Sequence, residues 1–142
     1  MIYLELFLTF LQIGAVSFGG GYAMLSLIQN AVVTEHAWIS DTTFTDIVAI
    51  SQMTPGPIGI NSATYVGYEV LANSGASETM CVLGSLTATF AVVLPSFLIV
   101  LMLSKMYEKW KEHFLFKGIM SALKPATLGL IGTAALTLAT PE

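Results

Sequence analysis

Ser51-Gln52-Met53-Thr54-Pro55-Gly56-Pro57-Ile58-Gly59-Ile60-Asn61 lies inside an apolar segment, residues 47–72, and its reading decides the fold. Two prolines and two glycines crowd into five positions, 55–59. Pro55 excludes Thr54 from the helical region, so one helix is expected to end near Met53. Pro57 suits the first position of a second helix, because the N–H it lacks would go unpaired there. A helix broken within a membrane exposes backbone polar groups, which is tolerated only where the break faces protein or a wet cavity. The rest of the chain is expected to build that cavity.

Composition places the segment in a membrane. Of 142 residues, 55% are hydrophobic and 10% charged, against about 25% charged in an average soluble domain. Mean hydropathy is +0.78. The expected class is an all-α, polytopic integral membrane protein forming a single membrane domain over residues 1–142. The net charge of −4 carries little information, and the absence of arginine or a basic run argues against nucleic acid as a partner. Cys81 is the sole cysteine, so it makes no intrachain disulfide and is expected to pack as a small apolar residue. With no basic residue ahead of the apolar start, residues 2–16 do not read as a cleaved leader.

Residues 2–33 form a second interrupted apolar segment, broken at Gly19-Gly20-Gly21. As one helix, 32 residues would span about 48 Å, against a hydrocarbon core of about 30 Å. A hairpin of two half-length helices folded at the glycines fits better, since each glycine costs about 1 kcal/mol inside a helix and suits a turn. Residues 34–46 are polar and read as a short helix at the membrane surface, with Ser40 as its N-cap and Trp38 as an anchor. Residues 47–72 break at Pro55–Pro57, and residues 73–78 form a polar turn. Residues 79–104 read as a membrane-spanning helix kinked at Pro95. Residues 105–117 form a charged loop, and residues 118–140 a second spanning helix with Lys124 and Pro125 near its start.

Four of the five lysines lie in 105–117, which the positive-inside rule places in the cytoplasm. If the two broken segments are re-entrant hairpins, 34–46 lies outside; if they span, it lies inside. Its lack of lysine favours outside. Two Gly/Pro-interrupted apolar segments are themselves a pointer to a transport site.

Gly14-Ala15-Val16-Ser17-Phe18-Gly19-Gly20-Gly21-Tyr22-Ala23-Met24 resembles the glycine motif of the chromate transporter family. Gln52–Asn61, followed by Thr64-Tyr65-Val66-Gly67-Tyr68, resembles its second signature, and Leu94-Pro95-Ser96-Phe97 and Leu123-Lys124-Pro125-Ala126 resemble further family positions. The motifs occur in the family's order over nearly the whole chain. The resemblance implies an integral plasma-membrane carrier of oxyanions, mainly chromate with sulfate as its analogue. It also implies half-length chains that pair as homodimers or heterodimers, in a bacterial cell. Two departures stand out: the chain ends at Glu142, short of a typical half, and Lys124 stands where arginine is usual, which weakens bidentate oxyanion binding there.

The chemistry expected at the breaks follows from helix termini. A helix N-terminus offers free N–H groups and about +0.5 charge. One such end lies at Pro57, another near Gly20 or Gly21; together they supply about +1, and Lys124 a further charge. The expected substrate-binding residues are Gly19, Gly20, Gly21, Gln52, Thr54, Pro55, Gly56, Pro57, Asn61, Thr64 and Lys124. Each has a plainer reading. The glycines permit close helix packing, the prolines form a simple kink, Lys124 snorkels to headgroups, and Asn61, Ser62 and Thr64 satisfy freed carbonyls. Glu69 reads as a solvated interfacial acid rather than a coupling carboxylate. No enzyme is expected, and no cofactor or metal, since the sequence has no paired intramembrane histidines, cysteine pair or nucleotide fingerprint. The functional expectation is chromate efflux. The alternatives are a non-catalytic partner subunit of a two-chain transporter and a sulfate uptake carrier.

Overall fold

Thr54 is extended (φ −85°, ψ 126°) under the constraint of Pro55, and there a helix ends. The computed structural model describes residues 2–17 and 21–139. It is helical throughout: α1 (Ile2–Val16), α2 (Gly21–Gln29) continuing into a π-helical segment (Asn30–Glu35), α3 (Asp41–Met53), α4 (Ile58–Asn73), α5 (Glu78–Trp110) and α6 (Phe114–Ala139). The chain divides into two units, residues 1–99 and 100–142. With its two broken hairpins and two long apolar helices, it is an all-α integral membrane protein.

In the first unit the broken segments are hairpins. α1 ends at Val16, α2 starts at Gly21, and the two pack together, as do α3 and α4. At 15 residues, α1 is about 22 Å long and reaches only part way across a hydrocarbon core of about 30 Å. The turn expected at Gly19-Gly20-Gly21 falls, at Gly19 and Gly20, outside the described residues. α4 is the central element, packed on α2 and α3. Its apolar face contributes Ala63, Val66, Val70 and Leu71 to one buried cluster that also holds Leu6, Phe10 and Ile13 of α1 and Leu25 and Ile28 of α2. Glycines set the closest approaches. A Cβ at Gly67 would meet the Gly84 carbonyl on α5 and sit 2.9 Å from the Ala88 Cβ, and a Cβ at Gly14 would meet the Val92 carbonyl. Cys81 is buried and free.

Several boundaries differ from the sequence expectation. Ser40 caps a helix as expected, accepting from the Thr43 N–H at 3.1 Å. That helix, however, is not a separate surface helix over 34–46. It starts at Asp41 and runs without interruption into the apolar half to Met53, since nothing between the two stretches breaks it. Pro57 is the N-cap rather than the first helical residue: at φ −66°, ψ 121° it remains extended, and α4 begins at Ile58. The helix expected over 79–104 continues to Trp110, because Lys, Met, Tyr and Glu are adequate helix formers and charge alone stops no helix. The connection between α5 and α6 is therefore residues 111–113 rather than 105–117.

In the second unit α6 starts at Phe114, so Lys124 lies well inside the helix rather than near its start. No residue of α6 is buried within the chain, and Phe116 alone is half-buried. α5 and α6 are long and apolar enough to cross a membrane. Near the tip of their hairpin, Tyr107 and Phe116 meet edge to face at 5.5 Å.

Candidate functional site at the two helix breaks

The Pro55-Gly56-Pro57 turn is built so that α3 ends and α4 begins against the same space. Thr54 closes α3 twice over, through its N–H (3.0 Å) and its hydroxyl (2.8 Å) to the Ile50 carbonyl. Gly56 then adopts φ +139°, which an L side chain rarely takes. The Pro57 carbonyl accepts from the N–H groups of both Ile60 and Asn61 at 3.0 Å. The N–H groups of Ile58 and Gly59 find no acceptor among the described residues. They are the orphan donors of a helix N-terminus.

These donors stand at a cavity of about 430 Å3 between the two hairpins. Ser17 and Gly21 line it from the first break, Met24 from the next turn of α2, and Gly56 to Ile60 from the second break. The first residues of α2 and α4 are neighbours there: a Cβ on Gly21 would lie 3.8 Å from the Ile58 Cβ. Two half-helices thus begin at one cavity, and no charged side chain lines it among the described residues. By the helix-dipole estimate, such a pair of termini supplies about +1 of positive charge, with the first N–H groups of each helix as donors. The Ser17 hydroxyl is committed elsewhere, donating to the Ile13 carbonyl at 2.6 Å.

Among the residues expected to bind substrate, Gly21, Gly56 and Pro57 line this cavity, while Gly19 and Gly20 lie outside the described residues. Pro55 is exposed in the turn, and Gln52 is exposed on the last turn of α3; neither lines the cavity. Thr54, Asn61 and Thr64 use their polar atoms structurally. The Asn61 Nδ2 donates to the carbonyls of Thr54 (3.1 Å) and Ser51 (3.3 Å). Thr64 donates to the Ile60 carbonyl (2.9 Å) and pairs with the Thr89 hydroxyl (2.7 Å) on α5. Ser62 and Ser51, both fully buried, bond to each other at 3.1 Å. Asn61 thus meets carbonyls at the end of α3, whereas the Thr64 bond to the Ile60 carbonyl lies within α4. Lys124 belongs to the second unit, where it lines a different cavity.

The sequence reading missed Ser17, Met24, Ile58, Gly59 and Ile60. Met24 was within reach of it, being one helical turn after Gly21 on the same face of α2. The α4 residues needed only the one-residue shift in where the helix begins.

The family model for chromate transporters matches residues 4–141. The chain is 30% identical over 125 residues to an uncharacterized transporter, YwrA, of Bacillus subtilis, covering 88% of this chain and 65% of that one. It is 27% identical over 133 residues to a second B. subtilis transporter, YwrB, covering 94% and 63%. It is 32% identical over 130 residues to a chromate transport protein of Cupriavidus metallidurans, covering 92% of this chain and 30% of that one. The chain therefore spans about two thirds of the shorter relatives and under a third of the longer. No solved structure matches it. With the family's model matched from residue 4 to residue 141, the chain belongs to the chromate transporter family.

Proposed function

We propose that the chain is a half-unit of a plasma-membrane oxyanion transporter, and that it holds the anion in the cavity where α2 and α4 begin. The observation that carries this reading is the convergence of Gly21 and Ile58 on one cavity, with the Ile58 and Gly59 N–H groups unclaimed among the described residues. A tetrahedral oxyanion needs donors and positive potential without a competing carboxylate, and the cavity lining offers that combination. A neutralisation of about +1 against a dianion leaves binding incomplete, which suits a carrier that must also release. The name of the C. metallidurans relative supports chromate as the anion, with sulfate as its isosteric analogue.

Efflux is the direction that needs no coupling ion. Two charges moving outward across an inside-negative potential of 100 mV gain about 4.6 kcal/mol, enough for a gradient of roughly 2,000-fold. A second reading, that the chain completes a pathway only with a second half-length chain, is supported by its likeness to two transporters of one organism, YwrA and YwrB of B. subtilis.

The test is flux of labelled sulfate and chromate into liposomes holding the purified chain under an imposed potential. Potential-dependent flux for which the two anions compete establishes a carrier and shows that this chain suffices. Flux that appears only when a second half-length chain is added establishes the partner reading. Folded protein of both chains without flux refutes both.

A further inference from the structure

We propose that Lys111, Lys117 and Lys124 form a binding site for the phosphate of an anionic phospholipid headgroup, at the tip of the α5/α6 hairpin. The three lysines line one cavity of about 220 Å3 in the second unit, together with Tyr107 and Ser121. Phe116 and Met120 supply its apolar wall. Helical geometry explains the grouping. Lys117, Ser121 and Lys124 recur at spacings of four and three on α6 and so share a face, while Lys111, the first residue after α5, donates its N–H to the Tyr107 carbonyl at 2.8 Å and so stands one turn beyond Tyr107. Side chains on a helix lean toward its N-terminus, so Lys124 reaches back toward Lys117 and the hairpin tip rather than deeper into the apolar helix.

The donor set is that of a phosphate site: ammonium groups, a phenol and an aliphatic hydroxyl, with no carboxylate lining the cavity among the described residues. The ion pair described in this unit joins Lys117 to Glu112 at 2.7 Å. Lys111 and Lys124 form no ion pair among the described residues, and each leaves a full charge for a ligand. An apolar wall beside a cationic rim fits a ligand with an acyl chain below a phosphate, and basic pockets between membrane helices take such headgroups.

A free oxyanion shares the phosphate chemistry, so the experiment has two arms. The purified full chain, equilibrated with phosphatidylglycerol and phosphatidylcholine of identical acyl chains, is examined by native mass spectrometry. Two unpaired lysines near an anionic headgroup give an expected preference of about thirtyfold for phosphatidylglycerol. A Lys111→Gln/Lys124→Gln variant loses that preference, a Lys111→Arg/Lys124→Arg variant keeps it, and Lys105→Gln/Lys109→Gln, which removes the same charge, keeps it too. Lack of a preference in the wild type, or an equal loss in the 105/109 variant, overturns the site. In the second arm, displacement of phosphatidylglycerol by sulfate or inorganic phosphate, but not by chloride at matched ionic strength, overturns the lipid assignment in favour of a free oxyanion.

Discussion

The Asn61 amide donates to the Thr54 carbonyl at 3.1 Å, tying the first turn of α4 to the residue that ends α3. The same nitrogen reaches the Ser51 carbonyl at 3.3 Å. One side chain thus satisfies two carbonyls that the helix break would otherwise leave bare. Asn61→Ala removes both bonds and should cost about 1–3 kcal/mol of stability, with transport falling because the turn that presents the Ile58 and Gly59 N–H groups is no longer held. Asn61→Asp should be worse at neutral pH, since an ionised carboxylate would face two carbonyl oxygens with no proton to give. Thermal unfolding in detergent and liposome flux, measured on both variants, check this. An alanine variant with unchanged melting and unchanged flux would sink it.

Charge placed in the cavity should act on transport and leave folding alone. Met24 lines the cavity, and its flexible side chain packs where a Cβ on Gly59 would lie. Met24→Glu sets a carboxylate among the half-helix ends. Unit charges 4 Å apart near a protein surface interact by about 4 kcal/mol, and a dianion by about twice that, so anion affinity should fall by at least about a thousandfold. Met24→Gln, of similar size and neutral, should stay within a few-fold of wild type. Competition of unlabelled sulfate against labelled chromate flux measures both. Equal flux in the glutamate and glutamine variants would place the anion elsewhere.

How far the sequence revealed this site depends on whether its determinants are local. The Pro55 break, the Ser40 cap and the burial of Cys81 follow from the residues themselves, and each is legible. The run of α5 to Trp110 and the start of α6 at Phe114 were not, because hydropathy marks where a membrane ends and not where a helix ends. Asn61 was singled out, but its role was undecided between ligand and cap. Only tertiary geometry shows its amide turned onto the end of α3. The closeness of Gly67 to Gly84 and of Gly14 to Val92 joins positions far apart in the chain, and no local pattern encodes it.

Glycines at helix crossings should be far less replaceable than glycines elsewhere. Gly67→Ala and Gly84→Ala each force a methyl group against the opposing backbone, an overpacking cost of about 1–3 kcal/mol. The double variant should cost less than the sum, because one separation of α4 from α5 admits both methyl groups. Gly118 and Gly132 of α6 have open space where a Cβ would stand. Alanine there should be neutral or stabilising by up to about 1 kcal/mol. Unfolding midpoints for the five variants test the contrast, which fails if Gly67→Ala is as mild as Gly118→Ala.

Re-entrant and spanning arrangements of the two broken segments place the polar start of α3 on opposite faces of the membrane. Cys81 is buried, so a Cys81→Ala background removes the one native thiol with a small packing loss. In that background a single cysteine at Thr42 reports on the start of α3, and one at Lys109 reports on the last turn of α5; both positions are exposed. Thr42 is the better probe than Ser40, whose hydroxyl caps α3 and whose loss would cost about 1 kcal/mol. If α1–α2 and α3–α4 each enter and leave on one side, α5 is the first full crossing before the lysine-rich tip, and the two cysteines react with an impermeant maleimide from opposite faces. If the broken segments span instead, both react from the same, cytoplasmic face. Labelling of right-side-out and inside-out vesicles distinguishes the two, and same-face labelling would overturn the re-entrant topology while leaving the cavity between Gly21 and Ile58 intact.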